Sequence, residues 1–137
     1  MLLICDKAGR ILYVGGLYNG SQVDFALFKK ELSGFDYSRL RVWVDLGFTG
    51  IKSYLPQEQV QIGHKKPSNK ELTKEQKLHN QEISKTRVVV EHAIGGMKRY
   101  FILRHENRIR LRNKISDAVE ICASLWNFKR GFSLNAA

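Results

Sequence analysis

The chain has 137 residues, enough for one domain with a real core, and its 43% hydrophobic and 26% charged content is that of an ordinary globule. No run of about eighteen apolar residues occurs, so no helical membrane span is expected, and MLLICDKAGR reaches charge too early for a secretory signal. The net charge of +10 is lopsided: residues 1–60 carry seven Lys/Arg against six Asp/Glu, and residues 61–137 carry sixteen against seven. Such an excess on one half of a small chain points to a polyanion, above all nucleic acid. An anionic membrane surface is the poorer match, because the basic segments lack a basic amphipathic helix with an aromatic face.

Leu2–Cys5 and Ile11–Val14 are short apolar runs separated by DKAGR, which predicts a hairpin with Asp6 as a turn residue. A glycine-rich loop then leads through NGSQVDFALFKKEL into a helix. Ser21 and Asp24 have the spacing of a capping pair, and Phe25, Leu27, Phe28 and Leu32 supply the apolar face. Cys5 and Cys122 lie in apolar surroundings without a CxxC, and are expected to be buried, reduced thiols of a cytoplasmic protein.

RLRVWVD alternates as a strand, with Leu40, Val42 and Val44 on one face and Arg41, Trp43 and Asp45 on the other. Asp45 ends that strand just before LGFTG. Ligands bind outside the carboxyl ends of strands in open α/β sheets, yet an aspartate there also caps the following turn, and both roles stay open for Asp45. A short helix around Ser53–Leu55 and a strand around Val60–Ile62 follow. HKKPSNKELTKEQ is too polar for a core and reads as an exposed basic loop.

Thr73 and Gln76 form a capping box that opens a long helix, expected to reach about Leu103 with a break. Within it, Val90, Ala93, Ile94, Met97 and Phe101 recur at helical spacing as an apolar stripe. Glu91 stands at the margin of that stripe, near Arg87 and Lys98. A carboxylate so placed can pair with Arg87 one turn away, or be held rigid and turned into a cleft as a metal ligand. Gly95 and Gly96 each cost a helix about 1 kcal/mol relative to Ala, and fit a place where a backbone or ligand comes close. RHENRIRLRNK is strongly basic and irregular, and residues 114–129 form a closing amphipathic helix with Ile115, Ala118, Val119, Cys122, Leu125 and Trp126 on its apolar face.

Two acids on separate elements with a basic second half suggest metal-assisted phosphodiester chemistry. That chemistry clamps the attacking and leaving oxygens between two divalent ions about 3.5–4 Å apart, held by hard oxygen ligands.

The segments VDLGFTG, GHKKPSNKELTKEQ and TRVVVEHAIGGMKRYFIL, with DKAGRILYV and NGSQVDFALFK upstream and ASLWNFKR downstream, resemble the C-terminal part of DDE-type insertion-sequence transposases and related DDE superfamily endonuclease domains. The resemblance spans nearly the whole chain. It implies an α/β, ribonuclease-H-like fold with a mixed sheet flanked by helices, and a metal-dependent enzyme that cuts and joins DNA with Mg2+ or Mn2+. By position it makes Asp45 the second catalytic aspartate and Glu91 the catalytic glutamate, both of them metal ligands. The family's first aspartate lies on a strand preceding the opening hairpin, and Asp6 does not match it. Residues 1–137 are therefore expected to be a partial catalytic domain, N-terminally incomplete and inactive unless another chain supplies that aspartate.

The expected partner is DNA, along a path lined by Lys65, Lys66, Arg87, Lys98 and Arg99, with the protein at the nucleoid when bound. An upstream-encoded transposase fragment would complete the site, and association with further copies of the chain is left open. The competing reading is a non-catalytic DNA-binding remnant.

Overall fold

The computed structural model describes residues 2–16, 23–104 and 111–132. Along the chain these form β1 (Leu3–Cys5), β2 (Ile11–Val14), α1 (Asp24–Leu32), β3 (Val42–Val44), α2 (Ile51–Tyr54), β4 (Val60–Ile62), α3 (Lys74–Met97), α4 (Phe101–Arg104) and α5 (Arg112–Lys129). The architecture is mixed α/β with two small sheets. Strands β1 and β2 pair antiparallel, and β3 and β4 pair parallel. The residues divide into two compact units, one of Met1–Gly20 with Val89–Ala137 and one of Ser21–Val88.

The first unit starts from the expected hairpin. Asp6 is its turn residue: Oδ1 accepts hydrogen bonds from the backbone N–H groups of Ala8 and Arg10, both at 2.9 Å. Gly9 supplies the positive φ of 85° that closes the turn. Ile11, Ala93, Met97, Val119, Cys122 and Ala123 make the core, with Leu3, Val14, Tyr100, Leu103 and Trp126 packed around it. Burying side chains as large as Ile11 and Met97 stabilises by about 1.5–3 kcal/mol each.

Helix α5 holds the hairpin through polar groups as well. The Asn127 carbonyl accepts from Ile11 N–H and its amide donates to Ile11 C=O, both at 2.8 Å, as a neighbouring strand would. Trp126 Nε1 donates to the Gly9 carbonyl at 3.0 Å, and Arg130 donates to that of Ala8. The close approach expected at the paired glycines is made by a side chain, not by a backbone or a ligand. A Cβ on Gly96 would stand 2.0 Å from the Trp126 ring, whereas one on Gly95 would meet nothing within 4 Å.

Two expected apolar positions in this unit fall outside the core. Phe101 is 73% exposed, because α3 ends at Met97 and the turn before α4 breaks the helical phase. Leu125 is also exposed, since the buried face of α5 runs through Val119, Cys122, Ala123 and Trp126. About 100° per residue places Leu125 to one side of that face.

In the second unit Leu27 and Phe28 of α1 are buried together with Val44, Ile51, Leu55, Val60, Ile62 and Ile83. Phe28 meets the rings of Tyr37, Phe48 and Tyr54 with centroids 5.6–6.2 Å apart. Gly50, at φ 95°, opens α2 and admits the Phe25 ring, which would lie 3.2 Å from a Cβ there. In the parallel pair Val42, Trp43 and Val44 face Val60, Gln61 and Ile62 in register. The crossover between them carries α2, as a parallel connection requires.

The strand expected from Arg39 is only three residues long. Ser38 N–H donates to Asp36 Oδ1 and Leu40 N–H donates to the Tyr37 carbonyl, so residues 36–40 are held in turns and Leu40 is left exposed. The capping pair expected at α1 is also revised. Asp24 is the first helical residue and Val23 the cap, with no side-chain cap bond; Ser21 lies outside the described residues. The capping box of α3 is present, with Gln76 Oε1 accepting from Thr73 N–H at 3.1 Å and Thr73 Oγ1 accepting from Gln76 N–H at 3.2 Å.

Candidate active site

Asp45 follows β3 directly and caps the turn Leu46–Phe48: its Oδ1 accepts from Leu46 N–H at 2.6 Å. Its Oδ2 accepts from Arg87 Nη2 at 3.1 Å, across 42 residues of sequence. The capping role left open in the sequence is therefore filled by one oxygen, and the other oxygen faces a cation. The side chains are 53% exposed at Asp45 and 35% at Arg87. A surface pair of this kind is worth about 0–1 kcal/mol. Asp45 is thus an accessible hard-oxygen donor at the carboxyl end of a strand, which is the chemistry a magnesium or manganese ion takes.

Glu91 lies on the exposed side of α3, two residues from buried Ala93. It falls in the first unit and Asp45 in the second. The apolar stripe beside Glu91 buries Ala93 and Met97 and half-buries Val90 and Ile94. Among the described residues no group of three or more His, Cys, Asp or Glu side chains could hold a metal ion.

The basic residues singled out in the sequence divide between the units. Lys65, Lys66 and Arg87 belong to the second; Lys98 and Arg99 are exposed in the turn that ends α3 in the first. The HKKP loop is anchored before its lysines. Asn80 Oδ1 accepts from His64 N–H at 2.7 Å, and its amide donates to the His64 carbonyl at 3.0 Å. The His64 and His79 rings lie 5.0 Å apart. Lys65 then projects into solvent, whereas Lys66 pairs with Glu71, which also meets Lys77 at 3.5 Å. Hydrogen bonds from Lys66 and then Lys77 hold the Glu71 carboxyl below its ordinary range.

The sequence reading missed two cations of α3. Lys77 and Lys85 line a shallow groove with Asn80, Gln81 and Ser84. Their spacing of eight residues, two turns along one helix face, was the available signal. The reading also missed the bond from Arg87 to Asp45. The basic stretch around Arg108 and Arg110 lies outside the described residues.

The described residues thus present an exposed acid at a strand end, a second exposed acid on a later helix, and accessible cations in both units. Residues 1–127 match the family model of the DDE superfamily endonucleases, and the chain belongs to that family, as a DDE-type transposase domain. It is 35% identical over 129 residues to a protein of Microchaete diplosiphon described as a probable transposase for insertion sequence element IS702. That alignment covers 93% of this chain and 45% of the relative, so the chain spans about half the length of the curated relative it matches. No solved structure matches it. No helix among the described residues is long and apolar enough to cross a membrane.

Proposed function

We propose that these residues form part of the catalytic domain of an insertion-sequence transposase that cuts and joins DNA phosphodiesters. The carrying observation is the accessible carboxylate of Asp45 at the end of β3, inside a family match that also contains Glu91. Asp45 and Glu91 would hold magnesium or manganese, and the bound metal would polarise the phosphate and activate the attacking oxygen. The fold would be ribonuclease-H-like. The antiparallel hairpin and the parallel pair are the kinds of strand pairing a mixed sheet of that type contains.

Two carboxylates offset less of the charge of two divalent ions than three would, and they leave the octahedral shell of magnesium short of protein oxygens. The first aspartate would come from residues outside these 137, on a strand that pairs with the hairpin β1–β2. DNA would be held through Lys65, Lys66, Arg87, Lys98 and Arg99, each phosphate contact contributing about −0.9 to the slope of log K against log salt. Further copies of the chain could join the same assembly.

The test is nicking of supercoiled plasmid by the chain alone and by the chain mixed with an upstream fragment bearing the first aspartate. The expected result is no cleavage alone, and magnesium-dependent nicking in the mixture that Asp45→Asn or Glu91→Gln abolishes. Robust cleavage by the chain alone, or restored cleavage that survives Glu91→Gln, overturns this active site. DNA binding with no nicking in any mixture would favour a non-catalytic remnant. Neutralising the five cations together should flatten the salt slope; an unchanged slope places DNA elsewhere, with Arg104–Lys114 the next segment to test.

A further inference from the structure

Glu71 is the point where two cations of the second unit meet. Its Oε1 accepts from Lys66 Nζ, and its Oε2 lies 3.5 Å from Lys77 Nζ. One lysine comes from the HKKP loop and the other from α3, and a single carboxylate bridges them, an oxygen to each. The two non-bridging oxygens of a backbone phosphate can make the same pair of contacts.

Both lysines are positioned by anchors that do not use the acid. Asn80 clamps the backbone of His64 at 2.7 and 3.0 Å, and Pro67 restricts Lys66 to extended backbone. Lys77 follows directly on the Thr73–Gln76 capping box. From Lys77 the cationic surface runs on along α3. Lys77 and Lys85 line one shallow groove with Asn80, Gln81 and Ser84, with no acid among these lining residues. Eight residues of helix separate the two lysines by about 12 Å. Between them, Gln81 and Ser84 offer an amide and a hydroxyl, neutral groups of the kind that hold DNA phosphates beside lysine and arginine.

We propose that Lys66 and Lys77 form a binding site for a DNA backbone phosphate, that Ser84 and Lys85 continue it along α3, and that Glu71 fills it in the free chain. This rests on the reading that DNA passes the HKKP loop, and adds contacts on α3 and a competing anion. All three charged partners are exposed, and ion pairs there are weak, so a phosphate can displace the carboxylate. Until it is displaced, Glu71 neutralises the two cations and lowers affinity for any duplex.

The experiment uses the 137-residue chain and a fluorescent duplex, with anisotropy followed across a salt series in EDTA. Glu71→Gln should tighten binding about two- to fivefold at low salt, the range an exposed ion pair supports. Glu75→Gln removes the same charge from a residue about 160° round α3 from Lys77, and should change affinity much less. Circular dichroism should show that each variant is folded.

In the Glu71→Gln background, Lys66→Gln with Lys77→Gln should flatten the slope of log K against log salt by about 0.9, one phosphate contact. Adding Lys85→Gln should bring the loss to about 1.8. Binding that Glu71→Gln tightens no more than Glu75→Gln overturns the competing anion. A slope that none of the lysine substitutions moves overturns the phosphate site, and the reading of Lys66 as a DNA contact with it. The wider DNA reading falls on a different result, a parent chain that binds no duplex at any salt.

Discussion

Arg87 Nη2 stands 3.1 Å from Asp45 Oδ2, joining the fourth turn of a long helix to the end of a short parallel strand. The pair is exposed, so its contribution to stability is small. Arg87→Ala should change the free energy of unfolding by less than about 1 kcal/mol in urea titration. A loss well above that would mean that the pair holds the second unit together.

The two glycines near the end of α3 should respond oppositely to the same substitution. Gly95→Ala gains helix propensity in open space and should stabilise by about 0.5–1 kcal/mol. In Gly96→Ala the new methyl would overlap three atoms of the Trp126 ring, at 2.0, 2.1 and 2.7 Å. Displacing that ring also disturbs its bond to the Gly9 carbonyl, so a net loss of about 1–3 kcal/mol is expected. Thermal unfolding of the two variants side by side checks both signs.

Asn127 should be among the costlier polar residues to remove. Asn127→Ala leaves the N–H and C=O of Ile11 without their partners beside a buried side chain, at about 2–4 kcal/mol. Asn127→Asp keeps the acceptor but places a carboxylate oxygen against the Ile11 carbonyl, and should be destabilising as well. Denaturant midpoints measure both.

The thiols give a prediction with a definite sign in pH. Burial, and then the neighbouring Asp6 carboxylate, push the Cys5 thiol above its ordinary value of 9.0; burial alone does so for Cys122. A raised folded value means that the folded chain holds its thiol protons more tightly than the unfolded one. This contribution to stability is complete below pH 9.0 and is lost as pH rises through the raised values. The Cys5→Ser/Cys122→Ser variant should therefore lose less stability than the parent between pH 8 and 10. At pH 8.5 alkylation by iodoacetamide should be slower in the folded chain than in urea.

Much of the local structure was legible in the sequence. The hairpin around DKAGR, the Thr73–Gln76 capping box, the strand at Val60–Ile62 and the closing helix all depend on residues a few positions apart. Their signals are turn chemistry and apolar spacing, which act over that range. The strand at Arg39–Asp45 was overread for the same reason. Alternation was visible, whereas the turn bonds from Ser38 and Leu40 that shorten it compete with alternation and leave no trace in it.

Of the candidate site, the sequence by itself marked the residues proposed to carry the chemistry: Asp45 after an apolar strand, Glu91 beside an apolar stripe, and an excess of lysine and arginine in the second half. Tertiary structure alone decided what several of those residues touch. Arg87 could be matched to Glu91 from helical spacing, but its bond to Asp45 spans 42 residues. Nothing in the spacing around Gly96 names Trp126, and nothing around Ile11 names Asn127, 116 residues away. Such partners are chosen when apolar faces pack and bring distant polar groups within 3 Å. Pattern along the chain records which face each residue occupies, and packing decides what that face meets.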